Sequence, residues 1–180
     1  MSMATGKLLS AKATRREATR DEARALANPL RLRILRLCLD EALTNKELAQ
    51  RLDRDPGTLL HHVRMLVDAG FLAADPVRTG ARGALEKPYR ATGKSWTVEV
   101  RDEKDTAGTH MAMVDAFRAE LAETPSPSTV LLSRLGLRLR PNVARQLRSR
   151  LEDVIDEFKD SDDPAGEPFG LFIGLHKRKP

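Results

Sequence analysis

From Asp21 to Leu43 apolar residues return every three or four positions. Leu30, Ile34, Leu37 and Cys38 fall on one face of a helix, while Arg31, Arg33 and Arg36 fall elsewhere around it. Asn28 and Pro29 restart that helix, because Asn caps an N-terminus well and Pro is tolerated in a first turn. A short second helix is predicted over "TNKELAQRL". Thr44 caps it, Glu47 completes a capping box, and Leu48 and Leu52 point inward. "DRD" turns the chain. Asp55 then caps a third helix with Pro56 in its first turn. Leu59, Val63, Leu66 and Val67 form its buried stripe, and Gly70 ends it.

After Gly70 the period changes. "FLAADPVRTGARGALEKPYRATG" holds two extended runs around a glycine-rich centre, which predicts a β-hairpin with a basic tip. Pro76 and Pro88 confine its strands to edges or ends. "SWTVEVR" alternates Trp96, Val98 and Val100 against polar neighbours, as a strand does. "DTAGTHMAMVDAFRAELAE" is a helix with His110, Met113, Val114, Phe117 and Leu121 on one face, and "TPSPS" breaks the chain. Leu135–Leu139 reads as a strand, Val143–Phe158 as a strongly amphipathic helix, and Phe169–Leu175 as an interior strand. Two strands joined by a helix can lie parallel in one sheet, with "SWTVEVR" as a third. One helix covers one face of such a sheet. A partner subunit, the preceding helix or a small apolar ligand would cover the other.

Composition narrows the classes. Apolar residues make up 41% of the 180, enough for a packed core, while aromatics at 4% argue against a sugar site or a base-stacking platform. No apolar run approaches the roughly 20 residues of a membrane span. The first twenty residues lack the apolar centre of a signal peptide, so a cytoplasmic protein without membrane contact is expected. The lone Cys38 excludes an internal disulfide and sits on an apolar face, as a small core residue does. The net charge of +5 is unevenly spread. Residues 23–94 carry thirteen basic and eight acidic side chains, and residues 95–124 carry three and seven. The positive charge of the first half is compatible with a nucleic-acid partner.

His61 and His62 stand in the middle of the third helix. Consecutive helical positions differ by about 100°, so the pair does not converge on one ion as an i, i+4 pair would. No metal and no other cofactor are expected. The chain lacks Gly-x-Ser-x-Gly, a P-loop and Gly-x-Gly-x-x-Gly, and no partner is placed to tune a histidine for acid–base work, so an enzyme is not expected. Two packed helices, a third with a polar outer face and a basic hairpin make a winged helix-turn-helix, whose third helix enters the DNA major groove. The histidines then form a groove-facing pair. They are otherwise plain exposed residues.

"ARALANPLRLRILRLC", "LTNKELAQRLDRDPGTLLHHVRMLVDAGFL" and their order resemble the DNA-binding core of ArsR-type winged-helix regulators over residues 23–93. The resemblance implies a homodimeric repressor that an effector releases from double-stranded DNA carrying an inverted-repeat operator. Metal-sensing members carry a Cys-x-Cys or His/Asp clusters, which this chain lacks, so a non-metal effector is implied. The expected fold is α+β in three parts. They are a basic arm (1–20), a winged helix-turn-helix DNA-binding domain (21–93), and a dimerisation and effector region (94–180) containing the helix and a small β-α-β unit. Thr58, His61, His62 and Arg64 are expected on DNA, with Gly57 allowing close backbone approach and Leu60 either meeting a thymine methyl or adding to the core. Arg82, with Arg78 and Lys87, is expected to reach phosphate or minor groove from the hairpin, and Thr44 to present backbone N–H groups to a phosphate. Met113, Val114, Phe117 and Leu121 are expected at the dimer interface. The effector expected in the last region is small and apolar. The alternative is a winged-helix protein–protein interaction module without DNA binding, with Leu60 marking an apolar docking face.

Overall fold

The computed structural model describes residues 15–80, 83–125, 131–159, 161, 163 and 165–178. The chain divides into two compact units, one over Arg15–Leu132 and the other from Ser133 onward.

The first unit is built on the capping signals. Thr19 caps α1 (Arg20–Leu26) through a capping box with Glu22, and Asn28 accepts from the Arg31 amide to start α2 (Pro29–Asp40). Leu43–Thr44 form a short strand (β2; Arg16–Glu17 are β1), and Thr44 with Glu47 boxes the start of α3 (Asn45–Arg51). Asp53 then takes a left-handed φ of 50°. Its amide reaches back to the Gln50 carbonyl and that of Arg54 to Ala49, at 3.4 and 3.0 Å, the double bond that closes a helix end. Asp is one of the few residues that enters this conformation at modest cost. Asp55 caps α4 (Pro56–Asp68), and Gly70 closes it with the same double bond at φ 73°.

β3 (Leu72–Ala74), β4 (Arg78–Thr79), β5 (Leu85–Glu86) and β6 (Pro88–Ala91) follow. β6 is central in an antiparallel sheet ordered β2-β6-β3, pairing Leu43 with Tyr89 and Leu72 with Ala91. Pro88 is the first residue of β6, where its missing donor is tolerated. β4 and β5 extend the hairpin into a wing. Ile34, Cys38, Leu43, Leu48, Leu59, Val63, Leu66, Phe71 and Leu72 form one core cluster beneath the three helices and the sheet. Mixed helix and strand with a winged helix-turn-helix arrangement is therefore the fold. Burial pushes the Cys38 thiol up to about 12. We expect it to stay unreactive towards thiol reagents at pH 8 in native protein and to react at once in guanidinium. Rapid native labelling would contradict that.

Several sequence expectations are corrected. Arg31, placed outside the apolar face, is buried. Trp96 lies in a 3-10 turn (Lys94–Trp96), and only Val98–Glu99 are extended, as β7. β7 pairs in parallel with β1, Arg16 opposite Val98, and among the described residues with no strand of the C-terminal region. α5 (Glu103–Glu123) buries Thr109, Ala112 and Ala116 against its own chain, packing on α2 and α1. These small side chains let helices approach closely. Met113 and Val114 remain 42% and 39% exposed.

In the second unit the expected strands at Leu135–Leu139 and Phe169–Leu175 are not formed. Among the described residues only α6 (Pro141–Lys159) is regular there. Gly136 lies near the Arg178 guanidinium, yet no ladder joins the two flanks. Every described residue of both flanks is exposed, and two short runs without a buried face do not hold a sheet. Among the described residues no ladder forms the sheet that was to cover an apolar ligand. Among the described residues no helix is long and apolar enough to cross a membrane.

Candidate nucleic-acid interface

α4 carries the site. Leu59, Val63 and Leu66 are completely buried, which fixes the rotation of the helix about its axis. The opposite side then presents Gly57, Thr58, His61 and Arg64, all exposed. Leu60 is half-buried at the edge of this face. The Asp55 carboxylate accepts the Thr58 amide at 2.8 Å, and that bond holds the acid below its ordinary pKa.

His61 and His62 do not act as one groove-facing pair. Their rings meet edge-on, 5.8 Å apart, but His62 turns inward to Arg31. An Arg31 Nη1 lies 3.3 Å from His62 Nδ1. Arginine only donates, so Nδ1 is the acceptor and the ring proton sits on Nε2. Burial first, then the Arg31 and His61 charges, lower the His62 pKa and keep the ring neutral near pH 7. Arg31 itself donates Nε to the Ala25 carbonyl and Nη2 to that of Arg24, both at 2.6 Å. These are last-turn carbonyls of α1, which lack partners within the helix. One guanidinium thus joins the end of α1 to the middle of α4. Sequence periodicity did not reveal Arg31; the run of two residues between Leu26 and Pro29, too short for a capped helix end, is the available signal.

The N-terminal turn of α3 joins the wing to α4. Asn45 donates Nδ2 to the Pro56 carbonyl at 2.9 Å, tying the first turns of α3 and α4. Its Oδ1 is buried without a partner among the described residues. Thr44 is itself buried, and its amide and hydroxyl both donate to Glu47, at 2.8 and 2.9 Å. The Glu47 carboxylate therefore takes the Thr44 amide that was expected to face a phosphate. Its pKa is lowered by the Thr44 amide first. From the wing, Arg78 reaches Glu47 at 2.5 Å and Glu86 at 3.3 Å. Arg78 is thus a strut between wing and α3. Lys87 is exposed with its ammonium 5.8 Å from the Tyr89 ring centre. Arg82 lies outside the described residues. Lys46, which the sequence reading missed, is exposed and lines an open groove of about 430 Å³ with Asn45, Glu86, Lys87 and Tyr89. Its place directly after a capping Thr-Asn was the signal. No cluster of three or more His, Cys, Asp or Glu gathers among the described residues.

Residues 26–73 match the family model described as a helix-turn-helix domain. This span covers α2, α3 and α4, the elements that build the exposed face. Among solved structures, reduced HlyU from Vibrio cholerae is 25% identical, covering 51% of this chain and 77% of that chain with a TM-score of 0.31. The S. aureus MepR–DNA complex is 13% identical, covering 78% of this chain and 81% of that chain with a TM-score of 0.28. No curated protein matches the chain.

Proposed function

We propose that this chain is a sequence-specific DNA-binding transcriptional regulator of the ArsR type. It acts as a homodimeric repressor that an effector other than a metal releases. The observation that carries the reading is the split of α4: an inner face locked by Leu59, Val63 and Leu66, and an outer face of Gly57, Thr58, His61 and Arg64 beside a wing. Such a helix enters the major groove with its N-terminal residues on base edges. Lys46 and Lys87 supply phosphate contacts from the adjoining groove. His62 supports the helix from behind. The exposed Met113 and Val114 on α5, with Phe117 and Leu121 half-covered beside them, support that helix as the dimer contact. The burial of Cys38 supports a sensor that does not use thiolate ligation.

The test is selection of bound sequences from random duplex DNA with the full chain, followed by affinity measurements against salt. An inverted repeat with half-sites about one helical turn apart, ~10 bp or a multiple, is expected. Affinity should fall by on the order of a thousandfold between 50 and 200 mM salt if about six phosphates are contacted. His61→Ala should change the preferred bases by roughly 1–3 kcal/mol at its position. Lys87→Ala should weaken all sequences alike and lower the salt slope by about one unit. No sequence preference and no salt dependence would overturn the reading. The pairing of Arg78 with Glu47 and Glu86 favours a second one, in which this face docks a protein and the duplex is not bound.

A further inference from the structure

The second unit has apolar surface without a core. Among its described residues none is buried, although α6 carries Val143, Leu147, Leu151, Val154, Ile155 and Phe158 along one stripe. Val143, Val154 and Phe158 are 38%, 51% and 68% exposed. A segment that buries so little of its own surface does not offset the entropy of ordering it. The stripe therefore needs cover, and the order of residues along α6 says what kind.

Counted outward from the bond between Arg150 and Leu151, the two halves of the helix mirror each other. Leu147 stands opposite Val154 and Val143 opposite Phe158, so apolar matches apolar. The charges are instead inverted. Arg145, Arg148 and Arg150 lie in the first half, and Glu152, Asp153, Asp156 and Glu157 in the second. At 100° per residue Arg148 borders one side of the stripe with Glu152 further round from it, and Arg150 borders the other with Asp153 further round. Basic residues at the N-terminal end and acidic ones at the C-terminal end are the order that a lone helix dipole disfavours.

We infer that α6 is a self-recognition element that packs antiparallel on α6 of a second copy of this chain, across a two-fold axis near Arg150 and Leu151. In that arrangement Val143 meets Phe158 of the second copy and Leu147 meets Val154, with Leu151 and Ile155 between them. Arg148 comes to Glu152 of the second copy, and Arg150 to Asp153. Arg148 already bonds Glu152 in its own chain at 2.7 Å, so the two copies bring together a four-charge cluster of alternating sign. Parallel packing would set arginine on arginine and carboxylate on carboxylate, a repulsive match. The opposed dipoles of antiparallel helices also remove the penalty on the charge order. The interface is isologous, as closed two-fold dimers require. It needs no nucleic acid, and its test contains none.

The experiment is disulfide trapping in the full chain, with Cys38 left in place because it is buried. Leu151→Cys should give a covalent dimer under mild oxidation. Val143→Cys and Phe158→Cys alone should not, since each copy would lie about 22 Å from its equivalent at 1.5 Å per residue. The Val143→Cys/Phe158→Cys double variant should cross-link. Circular dichroism confirms folding of each variant, and the double variant stands in if Leu151→Cys does not fold. Cross-linking by Val143→Cys alone would overturn the antiparallel arrangement. Absence of cross-linking by both Leu151→Cys and the double variant would overturn the pairing itself.

Discussion

Replacing Arg31 by alanine is expected to lower stability by about 3 kcal/mol, a fall in Tm on the order of 10 °C for a unit of this size. The guanidinium is 7% exposed and forks onto two carbonyls at the end of α1 while touching His62 and Met65 on α4. Charge-assisted bonds of this kind contribute roughly 1.5–3 kcal/mol each, and their loss strands the Arg24 and Ala25 carbonyls beside a hole. Water entering that hole offsets part of the loss, which keeps the figure below the simple sum. Arg31→Lys retains charge and stem but not the fork, so about half the effect should return. A second readout isolates the contact with α4. The Arg31 charge contributes to lowering the His62 pKa, and in Arg31→Ala the ring should titrate nearer the ordinary histidine value. A Tm within 1 °C of the parent and an unmoved His62 titration by NMR would sink the assignment.

Arg31 also marks where sequence reading stops. The local signals were legible: Asn28, Thr44 and Asp55 cap the helices they were expected to cap, and Gly70 closes α4 in the left-handed conformation. These depend on a few neighbouring residues. The Leu59, Val63 and Leu66 stripe was legible for the same reason, because a helix face is fixed by period alone. Period sorts residues by type, however, and assigns every arginine to water. That Arg31 enters the core depends on unpaired carbonyls in another helix. Likewise His62 leaves the groove-facing set because of a partner 31 positions away. Arg78 was read as a hand for DNA, and its engagement by Glu47 and Glu86 is a tertiary fact.

The larger gaps in the reading have one cause. In α5 the large apolar residues marked one face, and the other face, which lies on the chain itself through Thr109, Ala112 and Ala116, went unread. Close helix contact selects small side chains, and hydrophobicity alone does not report it. In the second unit alternating leucines suggested strands. Alternation specifies a strand only where a partner edge and a covered face exist, and among the described residues these two runs have neither. The amphipathic character of α6 was nevertheless correctly legible, because it needs no partner to be read.

Glu22→Gln is expected to lower stability at pH 7 by about 2–3 kcal/mol and to flatten the acid limb of the stability curve. Glu22 is 4% exposed and receives Arg16 at 2.6 and 2.8 Å, Lys94 at 2.6 Å and the Thr19 amide at 2.8 Å. Arg16, then Lys94 and Thr19, hold its carboxyl well below the usual carboxylate range against the opposing effect of burial. Arg16 is half exposed and Lys94 partly so, and both can return to water when the carboxylate is removed, which places the loss at the lower end for a buried pair. Lys94 also donates to the Ala69 carbonyl at 2.6 Å, so the same site fixes the C-terminal end of α4. The sign follows from proton counting. Below an ordinary carboxylate pKa, near 4, the unfolded chain binds a proton at Glu22 that the folded chain does not. The stabilisation is therefore complete above that pH and drains away as pH falls through the window beneath it. His62, whose pKa is also lowered, destabilises the fold in the same direction but from about pH 6.5 downward, and it does so in both proteins. The difference between parent and Glu22→Gln in urea melts thus reports Glu22 alone: large at pH 7, shrinking below pH 4. Equal stabilities at pH 7, or a difference that grows with acid, would show that the Arg16–Glu22–Lys94 cluster does not hold α1 to the end of α4.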